Sequence, residues 1–545
     1  MESIRSNPTT PPPEPALPRS LAAAWKLLLA AWLASLLFGS LVLFPRGEEM
    51  VHYLPALTLW AGDHATVDPD PGAAIGSLPA QSRIHVLLQA GFLKVQELLH
   101  WPPGYYGYRF FQMGVVLITL LLALALLRAG HPLASRDDHQ RRWSLFLVLV
   151  AVTPFGADWA LVGPAMLALA SLLGGLLLWY RPTAGRRGWA RLAGMGSLLG
   201  ASALIHPAFP PLAVPAALLI AFLEWRREED FFPKPAFFVA TFLLPALLLA
   251  ACHLAGPGGG ALVELPSVPG RPVLATQWSM MSGLTVAGVL HYVPYGLMLA
   301  AVGVWGWRRD DRRFFALERD PCHWILLGGT GLVLLFMDAA PGLDGVLGLL
   351  VPLLLVSSSG TRLWSLMAAG WPVRWRALLL GLGVILILSW PLVNWIRHGV
   401  AVDPPGEPFR VARLPDRLVG KLDRLFIAAP AFVPFFAGQY LQSLRGEGHY
   451  VVQILPPVGD AGLEVGTREQ VKTWLLGQSG ASGVTGWLVS GAREGQQICL
   501  DLDRLGLVVH LQAGETLYRD RDHVLLTTSS GFTVAEGGCP GDSPP

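Results

Sequence analysis

The stretch Phe44-Pro45-Arg46-Gly47-Glu48-Glu49-Met50-Val51-His52-Tyr53 follows directly on Leu21–Phe44, an apolar run long enough to cross a bilayer. The chain therefore leaves the membrane into a pair of carboxylates. Downstream, Leu54–Trp60 is apolar enough to lie on the interface, and Asp63, Asp68 and Asp70 follow. Ile84–His100 then sets Leu87, Leu88, Phe92, Leu93, Val95, Leu98 and Leu99 at roughly helical spacing. The loop 45–110 reads as two interfacial helices rather than a soluble lid.

Composition agrees with a membrane setting. Of 545 residues, 52% are hydrophobic and 14% charged, with mean hydropathy +0.47, whereas soluble domains carry about 25% charged residues. One large soluble enzyme is excluded. A net charge of +2 gives no bulk argument for nucleic acid, and no nucleic-acid partner is expected. Four cysteines do not make a disulfide scaffold.

About eleven segments qualify as spans: Leu21–Phe44, Phe111–Leu127, Ser144–Phe155, Trp159–Tyr180, Ala190–Ile205, Ala208–Leu223, Ala236–Ala255, Leu284–Trp307, His323–Asp338, Leu343–Ser357 and Ala377–Ile396. Alternate loops are dense in cations: Arg128 to Arg142, Arg181 to Arg191, Arg226 to Lys234, Arg308 to Arg319, and Arg362 to Arg376. The intervening loops are poor in them, so the cation-rich side is read as cytoplasmic, the N-terminus as inside and the chain after Ile396 as outside. The first span is too long for a signal peptide's apolar core and is read as a retained anchor. Residues 1–20, with Thr9-Thr10-Pro11-Pro12-Pro13, read as a disordered cytoplasmic tail.

The expected fold class is a polytopic α-helical membrane protein, N-in and C-out: a transmembrane domain over 21–397 and an extracytoplasmic α/β domain over 398–545. In the latter, Leu425–Ala428 is a short apolar run, Ala431–Leu444 reads as a helix, and His449–Leu455, Gly486–Val489, Leu507–Leu511 and Val524–Thr528 read as strands. Thr467-Arg468-Glu469-Gln470 reads as a capping box opening a helix to Leu476. Cys499 and Cys539 share this oxidising side and form either a disulfide or two free thiols.

Chemistry concentrates on the outer side. Glu48 and Glu49 can serve as general base on an acceptor hydroxyl or amine, or hold a divalent ion that neutralises a phosphate leaving group; the bland alternative is a solvated pair beside an anchor. Asp158, in a tight outer turn, faces the same side and is also a good N-cap for the next span. His206-Pro207, at another outer turn, can meet a lipid phosphate, although proline there is also ordinary helix-start grammar. Arg271 is the only cation of its loop, hence a phosphate clamp or a plain surface arginine. Arg83 and Arg109 are further outer cations, the second also readable as a snorkelling anchor. His291, beside Tyr292, lines a cavity or packs in a core. No CxxC or HExxH spacing appears.

These features resemble the membrane-embedded GT-C glycosyltransferases, in particular the protein-mannosyltransferase-like group (glycosyltransferase family 39-type) that includes the lipid A aminoarabinose transferases and the rhizobial lipopolysaccharide sugar transferases. The group's first loop opens Asp-Glu, continues with aromatics and ends its interfacial helix in Gly-Asp; here it reads Glu48-Glu49-Met50-Val51-His52-Tyr53 … Ala61-Gly62-Asp63. Arg109, within Tyr108-Arg109-Phe110, matches the group's arginine at the start of the second span, and His206 falls where a lysine is usual. Glu48 replaces the usual aspartate, Ser82-Arg83-Ile84 stands where Lys-Pro-Pro is usual, and the group's second-loop aspartate falls nearer Gly163 than Asp158.

The resemblance implies an inverting transfer from a polyprenyl-phosphate sugar to a lipid or glycan acceptor on the outer face of a bacterial inner membrane. It implies Glu48 as base or metal-proximal carboxylate, Glu49 in support, Asp158 as a second carboxylate and ion ligand if a divalent metal is used, and His52, Tyr53, Arg83, His206 and Arg271 around the donor. The rivals are a transporter or flippase, a non-catalytic scaffold, and an O-antigen-ligase-like enzyme. The first of these would place ionisable groups at mid-membrane depth, where most spans here have none.

Overall fold

The computed structural model describes residues 24–42, 53, 56–57, 83–100, 105–131, 134–153, 163–180, 186–206, 209–227, 233–255, 330, 345–357, 373–394, 411–429, 432–444, 446–454, 472–473, 475–477, 483–490, 497–502, 507–512, 514–519, 523–528 and 532–536. The spans expected at Leu284–Trp307 and His323–Asp338 lie outside these residues, Thr330 excepted.

Before residue 395 the described elements are helices: α1 (Ala24–Val42), α2 (Arg83–Leu98), α3 (Tyr105–Ala129), α4 (Arg136–Val152), α5 (Gly163–Trp179), α6 (Arg186–Ile205), α7 (Pro210–Arg227), α8 (Pro233–Ala255), α9 (Gly345–Ser357) and α10 (Val373–Asn394). Several run longer than their apolar cores, because polar first turns add helix that an apolar count omits. At α4, the N–H of Asp138 donates to Ser135 Oγ at 3.1 Å, and Asp138 Oδ2 accepts from the N–H of Ser135 at 3.3 Å. This capping box starts the helix at Arg136 instead of Ser144.

Helix α5 is apolar all round and mostly buried, so it lies at the centre, against α3 and α6. Small residues let the neighbours close up. Gly196 and Gly200, one turn apart on α6, lie against Phe238, Thr241 and Phe242 of α8, and at Gly200 the close neighbour is the Phe242 carbonyl itself. Around the outside, Leu27, Phe38, Ile118, Leu218, Leu247 and Ile385 are exposed, an apolar girdle on α1, α3, α7, α8 and α10.

Cross-helix hydrogen bonds define two ends. At one end, Trp143 Nε1 donates to the Leu124 carbonyl at 2.9 Å, and a His131 ring nitrogen lies 3.0 Å from the Ser357 carbonyl. Arg191 pairs there with Glu224 at 3.2 Å. At the other end, Thr153 Oγ1 donates to the Gly348 carbonyl at 3.0 Å, and Trp390 Nε1 to that of Ala151 at 2.8 Å. Arg128, Arg136, Arg141, Arg142, Arg191 and Arg226 share the first end; His206 and the start of α3 share the second.

After residue 410 come α11 (Leu414–Arg417), β1 (Arg424–Ile427), α12 (Val433–Leu444), β2 (Val451–Ile454), β3 (Thr485–Ser490), β4 (Gln497–Leu502), β5 (Leu507–Gln512), β6 (Thr516–Arg519), β7 (His523–Thr528) and β8 (Thr533–Glu536). One five-stranded sheet runs β2-β1-β3-β7-β6, with β1 parallel to β2 and β3 and the remaining pairs antiparallel. The β1–α12–β2 crossover is a βαβ unit. A second, antiparallel sheet runs β4-β5-β8; the sequence reading contained β5 but neither of its partners. Of the helix expected from Thr467 to Leu476, residues 472–473 and 475–477 are described and helical. Phe426, Trp487 and Phe532 pack as an aromatic cluster on one side of the five-stranded sheet, with Phe426 and Trp487 stacked at 4.3 Å.

Helix α12 joins the two regions. It packs on β2 and on α3. Its Phe432 entrance and Phe436 share one buried cluster with Tyr53, Ala56, Leu57, Ala90, Leu93 and Tyr108. The first-loop helix is thereby clamped between the bundle and the α/β region.

Candidate active site beneath the first-loop helix

Helix α2 is amphipathic in the opposite sense to a helix in water. Leu87, Leu88, Val95 and Leu98 are exposed, Leu98 at 71%, while His85, Gln89 and Gln96 are buried. The leucine stripe read from the sequence as one face is divided, since Leu93 is buried and Phe92 half-buried. Positions 85, 89 and 96 recur at one- and two-turn intervals, a polar stripe that an apolar-period reading passes over.

Helix α3 packs against α2. His85 and Phe92 both meet Phe111, at 5.7 and 5.4 Å between ring centroids. Further along, the Gln96 carboxamide lies directly on Gly107, whose missing Cβ makes the room. On α3, Arg109, 1% exposed, lies between these contacts, and Gln112, also buried, follows one turn on. Helix α2 also packs against α5 and α6. At the end of α6 stands His206, buried, its ring edge-on to Phe209 at 6.0 Å. The described polar groups here are a guanidinium, two imidazoles and several carboxamides, on α2, α3 and the end of α6, the last two both packed against α2, whose other face is apolar.

Tyr53 sits at the rim of this region, fully buried and 4.8 Å from Tyr108. Burial pushes its hydroxyl pKa up, so it stays a neutral phenol. Its place is in the cluster shared with α12. Arg83 is the first residue of α2. Glu48, Glu49, His52, Asp158, Arg271, His291 and Cys539 lie outside the described residues; Cys499 is in β4, opposite His510 of β5. The residues absent from the sequence reading are His85, Gln89, Gln96 and Gln112.

Among the described residues no group of three His, Cys, Asp or Glu could hold a metal ion. The described donors favour an anion over a cation, with Arg109 among them. Glu48 and Asp158 would have to supply a divalent ion's ligands.

The structure is similar to the crystal structure of ArnT from Cupriavidus metallidurans bound to undecaprenyl phosphate. The TM-score is 0.50 at 13% sequence identity, over 95% of this chain and 100% of that one. The chain therefore shares the fold of that ArnT structure. That fold is multi-pass, and among the described residues α1 and α3 are long and apolar enough to cross a membrane. The apo structure of the same ArnT gives a TM-score of 0.47 at 14% identity over 93% of this chain and 98% of that one. The Archaeoglobus fulgidus oligosaccharyltransferase in complex with Zn and sulfate gives 0.43 at 13% identity, over 85% of this chain and 67% of that one. No protein-family model and no curated protein matches the sequence.

Proposed function

We propose that the protein is an inverting membrane glycosyltransferase that moves a sugar from a polyprenyl-phosphate donor to an acceptor, a lipid A, an envelope glycan or a protein, on the outer face of a bacterial inner membrane. The observation that carries this reading is the inverted helix α2: apolar on its exposed side, polar on its buried side, where it packs on the helix that carries the buried Arg109. A lipid-linked anion needs both surfaces, one for its chain and one for its head. The ArnT structure of the same fold is bound to undecaprenyl phosphate.

In this reading Arg109 and His206 hold the donor phosphate. A guanidinium's fork of N–H donors matches the oxygens of a phosphate. Glu48, where the chain leaves α1, takes the proton from the acceptor's hydroxyl or amine. The freed lone pair attacks the anomeric carbon from the face opposite the phosphate. The C1–O bond breaks with its electron pair going to oxygen, and polyprenyl phosphate leaves with inversion at C1. Arg109 stabilises the charge that grows on the leaving phosphate. Glu49 and Asp158 support the base, and Arg83, His52 and Arg271 lie toward the donor. The α/β region over 398–545, joined to the first-loop helix through α12, faces the same compartment as the site.

Membranes carrying wild type or Glu48→Gln, given a radiolabelled polyprenyl-phosphate-sugar pool, test this directly. Transfer to extractable lipid or glycan in wild type, lost in the variant at equal protein level, supports it. Absence of transfer in wild type across several donors overturns it.

A further inference from the structure

Gln89 is 1% exposed, and among the described residues neither atom of its carboxamide has a hydrogen-bond partner. The same holds for the Oε1 of Gln112, also buried. Gln96 is in a like condition, but Gly107 accounts for its placement as a clamp between α2 and α3. Buried polar groups are normally paired, because an unpaired one forfeits its hydration without return. A leucine fits the volume of a glutamine, so packing alone gives no reason for carboxamides at these two positions.

The type of atom narrows the partner. A carboxamide oxygen only accepts, so it needs a donor. A phosphate at neutral pH is chiefly an acceptor; it can accept from an amide N–H but leaves both Oε1 atoms unmet. A hydroxyl donates and accepts, and a ring carrying several matches a carboxamide atom for atom. Gln89 lies between His85 and Phe92, both against Phe111, and Gln112 is the next residue of α3. The two carboxamides are therefore on helices packed against each other, α2 and α3, with Gln112 one turn from the buried guanidinium of Arg109.

We infer that the Gln89 and Gln112 carboxamides bind hydroxyl groups of the sugar carried by the lipid donor, so that α2 reads the sugar while Arg109 holds the phosphate. This rests on the donor class proposed above and adds which side chains discriminate the sugar. A site built to hydrogen-bond a hydroxyl rejects the analogue that lacks it.

The test uses the full-length protein in nanodiscs with two kinds of probe: bare undecaprenyl phosphate and a panel of undecaprenyl-phosphate-linked hexoses and pentoses. Wild type should bind at least one sugar-bearing lipid more tightly than the bare one. Gln89→Leu and Gln112→Leu should each weaken that lipid about 10-fold or more and leave the affinity for bare undecaprenyl phosphate unchanged, which also shows that the variants are folded. Equal losses for both probes, or no loss for either, overturns the inference, and so does a wild type that prefers no sugar; in each case phosphate binding still stands. A wild type that binds neither probe overturns the proposed donor class, and the inference with it.

Discussion

Helices α2 and α12 carry the same kind of pattern, apolar residues on one side and polar on the other, and use it in opposite ways. In α12 the apolar side turns inward: Phe435, Phe436 and Tyr440 are buried and Gln442 is exposed. In α2 His85, Gln89 and Gln96 turn inward and Leu87, Leu88 and Leu98 outward. Water around α12 drives its aromatics into the core. In the membrane setting proposed above, the solvent around α2 is lipid, which rewards apolar burial no more than it rewards exposure, so polar pairing and site chemistry decide which side faces in. The two helices meet in a common cluster, where Ala90 and Leu93 join Phe432 and Phe436. Periodicity shows that a helix has two faces; the surrounding medium decides which one is buried.

The largest effect expected from this contrast is at Arg109, on the polar side. Arg109→Gln should lower sugar transfer about 100-fold or more, the scale of removing a donor aimed at developing charge, and Arg109→Lys should restore part of it. Gln442→Lys, on the exposed side of α12, should leave transfer within about twofold. Rates measured in membranes at matched protein level decide. Equal rates in wild type and Arg109→Gln would make Arg109 an anchor and leave the inverted helix without a catalytic purpose.

The apolar sides should differ just as clearly in stability. Phe436→Ala opens a cavity in a packed core and should cost about 3–5 kcal/mol. Leu88→Ala removes methyl groups that face lipid and should cost about 0.5 kcal/mol or less, in line with surface substitutions. Thermal unfolding of the detergent-solubilised protein measures both. A Leu88→Ala loss as large as that of Phe436→Ala would mean that the exposed side of α2 is covered by protein rather than by lipid.

Glycine contacts sharpen the same distinction. At Gly200 an added Cβ meets the backbone of Phe242, which cannot yield without moving α8. At Gly107 it meets the tip of the Gln96 side chain, which can change rotamer. Gly200→Ala should cost about 1–3 kcal/mol through overpacking. Gly107→Ala should cost about 0.5–1.5 kcal/mol through a displaced rotamer, with its main effect on donor KM as α2 loses its clamp. The ratio of folded yield to KM in the two variants separates the cases.

Much of this architecture was legible in the sequence, for identifiable reasons. Apolar runs located α1, α5, α8 and α10 to within a few residues, since a lipid-facing helix needs about 20 apolar residues in any context. Helices α3 and α4 came out longer because Tyr105–Arg109 and Arg136–Trp143 are helical but not uniformly apolar. Strands β1, β2, β3, β5 and β7 were visible as apolar runs, whereas β6 and β8, Thr-Leu-Tyr-Arg and Thr-Val-Ala-Glu, are half polar and short. At the site, Arg109 and His206 stood out as charges near spans. Gln89 and Gln112 did not, because a glutamine on a helix is unremarkable until its burial is known.

The smallest effect concerns a buried polar group that does have its partner. The Tyr450 hydroxyl donates to the Pro415 carbonyl at 3.0 Å, inside the same cluster that holds Tyr53. Burial, and then the charge of Asp416, push its pKa up, so the folded protein keeps the phenol neutral. The sign follows: stability is unaffected below the ordinary tyrosine pKa of about 10, and falls as pH rises beyond it, because the unfolded chain can release the proton and the folded chain cannot. Tyr450→Phe should cost about 1 kcal/mol at neutral pH, the worth of one neutral hydrogen bond. Above pH 10 the gap to wild type should narrow, with Tyr53 maintaining part of the alkaline loss. Melting curves from pH 7 to 11 measure this. A water-facing core closes its own hydrogen bonds, so removing Tyr450's hydroxyl should weaken the fold; removing the carboxamide of Gln89 should leave the fold intact and act on the donor. If Gln89→Leu instead destabilised the protein as much as Tyr450→Phe, the carboxamide would be a structural group, and the two helices would differ in the medium they face but not in their purpose.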